Sequence, residues 1–320
     1  MPSKPAKATM SSSNTPTSQS SNNYVEQTVS LLSSVASYMR LPALASTYRP
    51  NSLSPFALRL LASSWLLDPH HYPAESRANT RIRALIYPSN IPANSRSDVP
   101  KPSDFGLSNF EELYIPTDDG EKLSAFYIRG PRGHKNSNIT ILMFHGNAGN
   151  IGHRLPIARM IINYIGCNVF MLEYRGYGSS TGQPDESGLN IDAQTGLNYL
   201  RQRAETRDHK LMVYGQSLGG AVAIKLVSKN QEKGDIAGLI LENTFLSIRK
   251  LIPSVVPPAK YLTLPKHMKQ LYDISAAPTK RWKPLPGGDH NSSVLEEGYF
   301  EAMSDFIAEV TGDDMHKTRS

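Results

Sequence analysis

The sequence predicts an α/β protein, a mostly parallel β-sheet with helices on both faces and its chemistry in the loops at one sheet edge. Three observations carry this. Short apolar runs without polar alternation, such as 139–144, 169–173 and 211–214, are separated by longer stretches of helical periodicity, as expected for strands buried on both faces. The run 211–214 enters Gly215-Gln216-Ser217-Leu218-Gly219, a serine among small residues where a strand gives way to a helix. The run 139–144 enters His145-Gly146-Asn147-Ala148-Gly149-Asn150, a second turn of small residues before a helix.

In chain order, residues 1–27 are Ser, Thr, Asn, Pro and Lys with almost no apolar side chain, and are expected to be a disordered tail. Residues 28–105 form an ill-defined N-terminal segment that ends in a Pro-rich lead-in from 86 onward. Within 24–40, Val25, Val29, Leu32, Val35 and Met39 share one helical face, which suits a packing helix, a membrane-surface helix or a presequence. The most apolar stretch, 56–67, is roughly twelve residues long and contains Arg59, too short to span a bilayer.

The catalytic domain is expected at 106–312, followed by a tail at 313–320. Strands are expected at 112–116, 123–128, 139–144, 169–173, 211–214, 239–242 and 281–285, the first two as a hairpin about Asp118-Asp119-Gly120. Helices are expected at 151–164, 185–203, 217–229 and 299–310. In the second of these, Leu189, Ala193, Leu197, Leu200 and Ala204 line one side.

Composition narrows the function. Of the net charge of +6, ten basic against five acidic residues precede position 106, so the excess sits ahead of the expected domain. A nucleic-acid protein would place it on the folded face among aromatics, whereas a basic front half suits an anionic membrane surface or a solvated tail. Cys167 is the only cysteine, which excludes an intrachain disulfide and a thiolate metal cluster. No cofactor, metal or nucleotide motif competes with the serine turn.

A serine at such a turn needs an oxyanion hole, a base, and an acid to orient the base. Alone, its pentapeptide arises by chance in roughly a tenth of chains this long. The loop after 139–144 supplies the hole, through the N–H groups of Asn147 and Leu218. His290, in Pro286-Gly287-Gly288-Asp289-His290-Asn291, is the candidate base, because it follows the last expected strand at the carboxyl edge. The other histidines fall in irregular stretches, helices or the oxyanion turn itself.

The run from 86 to 310 resembles the α/β-hydrolase superfamily, specifically the fungal bud-emergence (Bem-type) serine hydrolases. The matching pieces are IYPSNIP, FHGNAGN, EYRGYGSS, YGQSLGG, LENTFLSI, HMKQLYD and GDHN. The resemblance implies an α/β-hydrolase fold and a membrane-associated hydrolase of ester or thioester bonds, with acylated proteins (a palmitoyl-protein or acyl-protein thioesterase) among its substrates. It assigns the nucleophile to Ser217, the base to His290 and the oxyanion donors to Asn147 and Leu218.

Two departures from the family pattern stand out. In place of the membrane-spanning helix that precedes IYPSN, residues 51–84 are charged and contain proline. Between KYLTL and HMKQLYD, where the family has a seventh strand and the loop carrying its catalytic aspartate, this chain has only Pro265 and Lys266. The expected fold therefore lacks the seventh strand. Glu242, at the end of the sixth, is the candidate substitute acid, with exposed Asp273 and adjacent Asp289 as weaker ones. Two readings follow: a serine hydrolase impaired by loss of its acid, or a catalytically inactive α/β-hydrolase-like binding or polarity-related protein, including a truncated gene product.

Overall fold

A computed structural model describes residues 83, 86–245, 260–288 and 290–312. The expected tails at 1–27 and 313–320, the amphipathic stretch 24–40, the apolar stretch 56–67 and Asp289 lie outside the described residues. The sheet has six strands: β1 (Phe110–Pro116), β2 (Lys122–Ile128), β3 (Ile139–Phe144), β4 (Asn168–Leu172), β5 (Lys210–Gln216) and β6 (Ile236–Glu242). Their order is β1-β2-β4-β3-β5-β6. The β1–β2 hairpin and the β2–β4 pair are antiparallel, and β4, β3, β5 and β6 run parallel. This is the mostly parallel open sheet that the apolar runs predict.

Among the described residues five α-helices accompany it: α1 (Leu155–Met160), α2 (Glu186–Gln202), α3 (Leu218–Asn230), α4 (Lys260–Ile274) and α5 (Tyr299–Thr311). Each central strand divides its side chains between two cores by simple alternation. Leu142 and Phe144 of β3 and Leu211 and Val213 of β5 join Leu189, Leu197, Val222 and Leu226 of α2 and α3. Ile141 and Met143, with Met212 and Tyr214, join Ile157, Met303 and Ile307 of α1 and α5 on the opposite face. Every residue of β3 and β4 is buried, because helices cover both faces there. The predicted helix over 151–164 is broken into a 3₁₀ turn (Ile151–Arg154), α1 and a π turn (Ile161–Ile165). Pro156, in the first turn of α1, lacks the N–H that would continue the ladder from the 3₁₀ turn.

One expected element does not form. Residues 281–285 are not a strand, and among the described residues the sheet ends at β6. The segment instead lies against helices: Arg281 pairs with Asp305 and Glu309 of α5, and Trp282 packs edge-on to Tyr272 of α4. With no seventh strand to carry the sheet outward, a segment that contains Pro284 and is followed by Pro286 has no ladder to join. All of β6 except Glu242 is only half-buried, in contrast to β3, β4 and β5. No helix among the described residues is long and apolar enough to cross a membrane.

Candidate active site

The serine turn is built by backbone crowding. Ser217 stands between β5 and α3 with φ 53° and ψ −114°, a conformation costly for any residue with a β-carbon. The flanking glycines make room for it. A β-carbon on Gly215 would stand 2.3 Å from the carbonyl oxygen of Gly219, and one on Gly219 would stand 2.2 Å from that of Phe144. The strain is held by the end of β6 and the residues that follow it. Ser217 N–H donates to the Glu242 carbonyl at 2.9 Å, and Thr244 Oγ1 donates to the Ser217 carbonyl at 2.7 Å.

The same segment holds the histidine loop. Asn243 Nδ2 donates to the His290 carbonyl at 3.2 Å and to Ser293 Oγ at 2.8 Å. His290 is half-buried, and its Nε2 lies 3.0 Å from Ser217 Oγ. A neutral imidazole protonated on Nδ1 would accept the serine proton at that distance.

Leu218 is the first residue of α3, so its N–H is among those without an intrahelical carbonyl and sits at the positive end of the helix. Asn147 lies in the loop after β3. Its carbonyl accepts from Tyr177 Oη at 3.0 Å, and its side-chain amide reaches the Ile86 carbonyl at 3.4 Å. Gly146, its neighbour, faces Ser217: a β-carbon there would stand 3.7 Å from both Ser217 Cβ and Arg154 Nη2.

Glu242 is next to this pair, but its carboxylate is engaged elsewhere. Oε2 accepts from the hydroxyls of Tyr214 and Tyr299, each at 2.5 Å, and Oε1 accepts from Gln216 Nε2 at 2.9 Å. Burial, and after it the Glu242 charge, holds both phenols far above their ordinary pKa, so they stay donors. Arg154 also faces this cluster. Burial lowers its pKa, against opposing contributions from Tyr214, Glu242 and Glu173. Glu242 therefore ties β5 and α5 beneath the serine turn. Glu242→Ala would strand three buried donors and is expected to cost about 3 kcal/mol, while Glu242→Gln, which keeps an acceptor, should cost less. Urea unfolding of the two variants measures the difference. Asp273, the weaker candidate, is exposed on α4 and pairs with Lys269.

Several residues in this construction carry no signal in a linear reading. Asn243 and Thr244 sit inside the LENTFLSI piece, and Tyr299 lies 57 positions from Glu242. Glu173 ends an expected strand and opens the EYRGYGSS piece, and its place as a polar residue closing an apolar run is the cue that could have singled it out.

The sequence has relatives among known proteins. Residues 135–295 match the family described as serine aminopeptidase, S33. The chain is 39% identical to protein bem46 of Schizosaccharomyces pombe over 260 residues, covering 71% of this chain and 86% of that protein. It is 35% identical to the uncharacterized membrane protein YNL320W of Saccharomyces cerevisiae over 258 residues, covering 70% and 88%. Among solved structures it is similar to an alpha-beta hydrolase from Vibrio vulnificus, with a TM-score of 0.48 and 21% identity over 63% of this chain and 74% of that one. The sheet order, the serine turn at the end of β5, the family match and the likeness to protein bem46 lead to one conclusion: the chain belongs to the α/β-hydrolase superfamily, in the family that matches over residues 135–295.

Proposed function

We propose that this protein hydrolyses acyl esters or thioesters through a covalent acyl-serine intermediate. The observation that carries the reading is the 3.0 Å approach of His290 Nε2 to the oxygen of a serine held at positive φ. In the proposed cycle His290 Nε2 takes the Ser217 proton as Oγ attacks the acyl carbon. The N–H groups of Asn147 and Leu218 donate to the resulting oxyanion. The tetrahedral adduct collapses, the C–O or C–S bond breaks, and His290 returns the proton to the leaving group. Water, activated by the same imidazole, then releases the acid and regenerates Ser217.

Thioesters suit the site for a chemical reason. A thiolate leaves with little need for protonation, since thiol pKa values lie near 8.5. A small acyl ester or an acylated protein would serve as substrate, and the basic residues ahead of position 106 favour work at an anionic membrane surface.

One observation favours the second reading, a non-catalytic binding protein: among the described residues the sheet ends at β6, and 281–285 lies off it. Covalent labelling with a fluorophosphonate separates the two. The folded wild type should label and Ser217→Ala should not. A folded wild type that fails to label, or a Ser217→Ala variant that labels equally, would sink the hydrolase reading.

A further inference from the structure

The loop bearing the Asn147 N–H is held by residues outside the proposed catalytic set. Two buried side chains stand at its centre. His145 opens the loop at the end of β3, and Glu173 follows β4; they are 1% and 0% exposed. His145 Nε2 lies 2.8 Å from Glu173 Oε1, and its Nδ1 lies 2.7 Å from the Gly146 carbonyl oxygen. A carbonyl can only accept, so Nδ1 carries the proton in that contact. Glu173 Oε2 accepts from the Ile151 N–H at 3.0 Å, beyond the far end of the loop. One carboxylate thus grips both ends of the six-residue turn 145–150.

Its neighbours in sequence grip the middle. Tyr174 Oη donates to the His145 carbonyl and Tyr177 Oη to the Asn147 carbonyl, both at 3.0 Å. The His145 ring packs against both phenols, with centroids 4.5 Å and 5.4 Å away. Glu173 is itself anchored: its N–H donates to the Ser124 carbonyl at 2.9 Å and its carbonyl accepts from Ser180 Oγ at 3.0 Å. The Ser124 N–H closes that circuit by donating to Ser180 Oγ at 2.8 Å.

We infer that Glu173, acting through His145, is a positioning residue that aims the Asn147 N–H at the developing oxyanion. The inference rests on the acyl-transfer reading above. An oxyanion donor lowers the barrier only when it is fixed before charge develops, and a loop of small residues cannot fix itself. The clamp works by shape. A glutamine at 173 would keep both contacts: its amide would donate to Nε2 of a neutral ring, and its oxygen would accept from Ile151.

The test is a set of variants assayed with a p-nitrophenyl ester, with rates normalised to sites titrated by fluorophosphonate so that unfolded protein does not count. Glu173→Ala should lower kcat by about 10²-fold, of the order seen when one oxyanion donor is lost, with KM within about three-fold. Glu173→Gln should stay within about three-fold of wild type. Affinity for an aryl boronate, which mimics the tetrahedral adduct, should fall across the variants in step with kcat/KM. Should Glu173→Ala fail to fold, Tyr177→Phe, which removes only one hydroxyl from the same loop, should weaken boronate binding and kcat together by several-fold.

A folded Glu173→Ala enzyme with unchanged kcat and boronate affinity would overturn the inference while leaving the acyl-transfer reading intact. So would a Glu173→Gln variant as slow as Glu173→Ala, and so would unchanged boronate affinity in a folded Tyr177→Phe. A wild type that neither labels nor turns over would remove the underlying reading and this inference with it.

Discussion

Ser217→Ala, His290→Ala and the double variant are expected to hydrolyse a p-nitrophenyl ester at one common residual rate, on the order of 10⁴-fold below wild type. The equality matters more than the size. The serine oxygen is a poor nucleophile while it keeps its proton, and the imidazole 3.0 Å away has no other proton to take at this site. Removing either therefore removes the same step, and removing both adds nothing. Independent roles would instead multiply, leaving the double variant far slower than either single one. What survives comes from substrate binding and the oxyanion donors, which neither substitution touches. Urea midpoints should barely move for His290→Ala, because the side chain is only half-buried. Ser217→Ala relieves no strain, since alanine suffers at φ 53° as serine does.

The second large effect is on stability. Gly219→Ala is expected to cost about 3 kcal/mol or more and to abolish labelling of Ser217. Its β-carbon would stand 2.2 Å from the Phe144 carbonyl oxygen, a backbone atom inside the β3 edge of the site. Side chains can rotate away from an intrusion; the central strand of a sheet cannot, so α3 would have to lift off. Gly146→Ala is the matched control. Its nearest contacts would be at 3.7 Å, an ordinary separation, so its unfolding free energy in urea should stay within about 0.5 kcal/mol of wild type. Activity should still fall, because the new methyl group occupies space beside Ser217 and Arg154 that substrate would use. Paired unfolding and labelling measurements on the two variants distinguish a glycine needed for the backbone from one needed for the reaction.

The sequence made the strand-turn-helix junctions legible because each is local. The run 211–214 and the glycines around Ser217 lie within nine residues, and the structure places Ser217 between β5 and α3 as that pattern predicts. His290 was legible from its place after the last strand-like segment, even though that segment proved not to be a strand. Residues 281–285 are expected as a strand from their place ahead of the last helix, but a strand is defined by its neighbour, and among the described residues none pairs there. The partners of Glu242 were hidden for the same reason. Gln216 and Tyr214 lie on the adjacent strand, and Tyr299 arrives from α5, so only the folded sheet reveals that the carboxylate already serves three donors. His145 and Glu173 were visible as members of two motifs, but nothing in their spacing says that they meet.

The tripeptide Glu242-Asn243-Thr244 gives the site a mechanical property. It grips Ser217 through two backbone bonds and His290 through the Asn243 amide, so serine and histidine are both referenced to a single point at the end of β6. If the sheet edge slides or twists, that point moves and carries both partners with it. Their separation is then preserved under deformations that would displace either one measured against the rest of the protein, and the outermost described strand becomes a common datum for the two side chains.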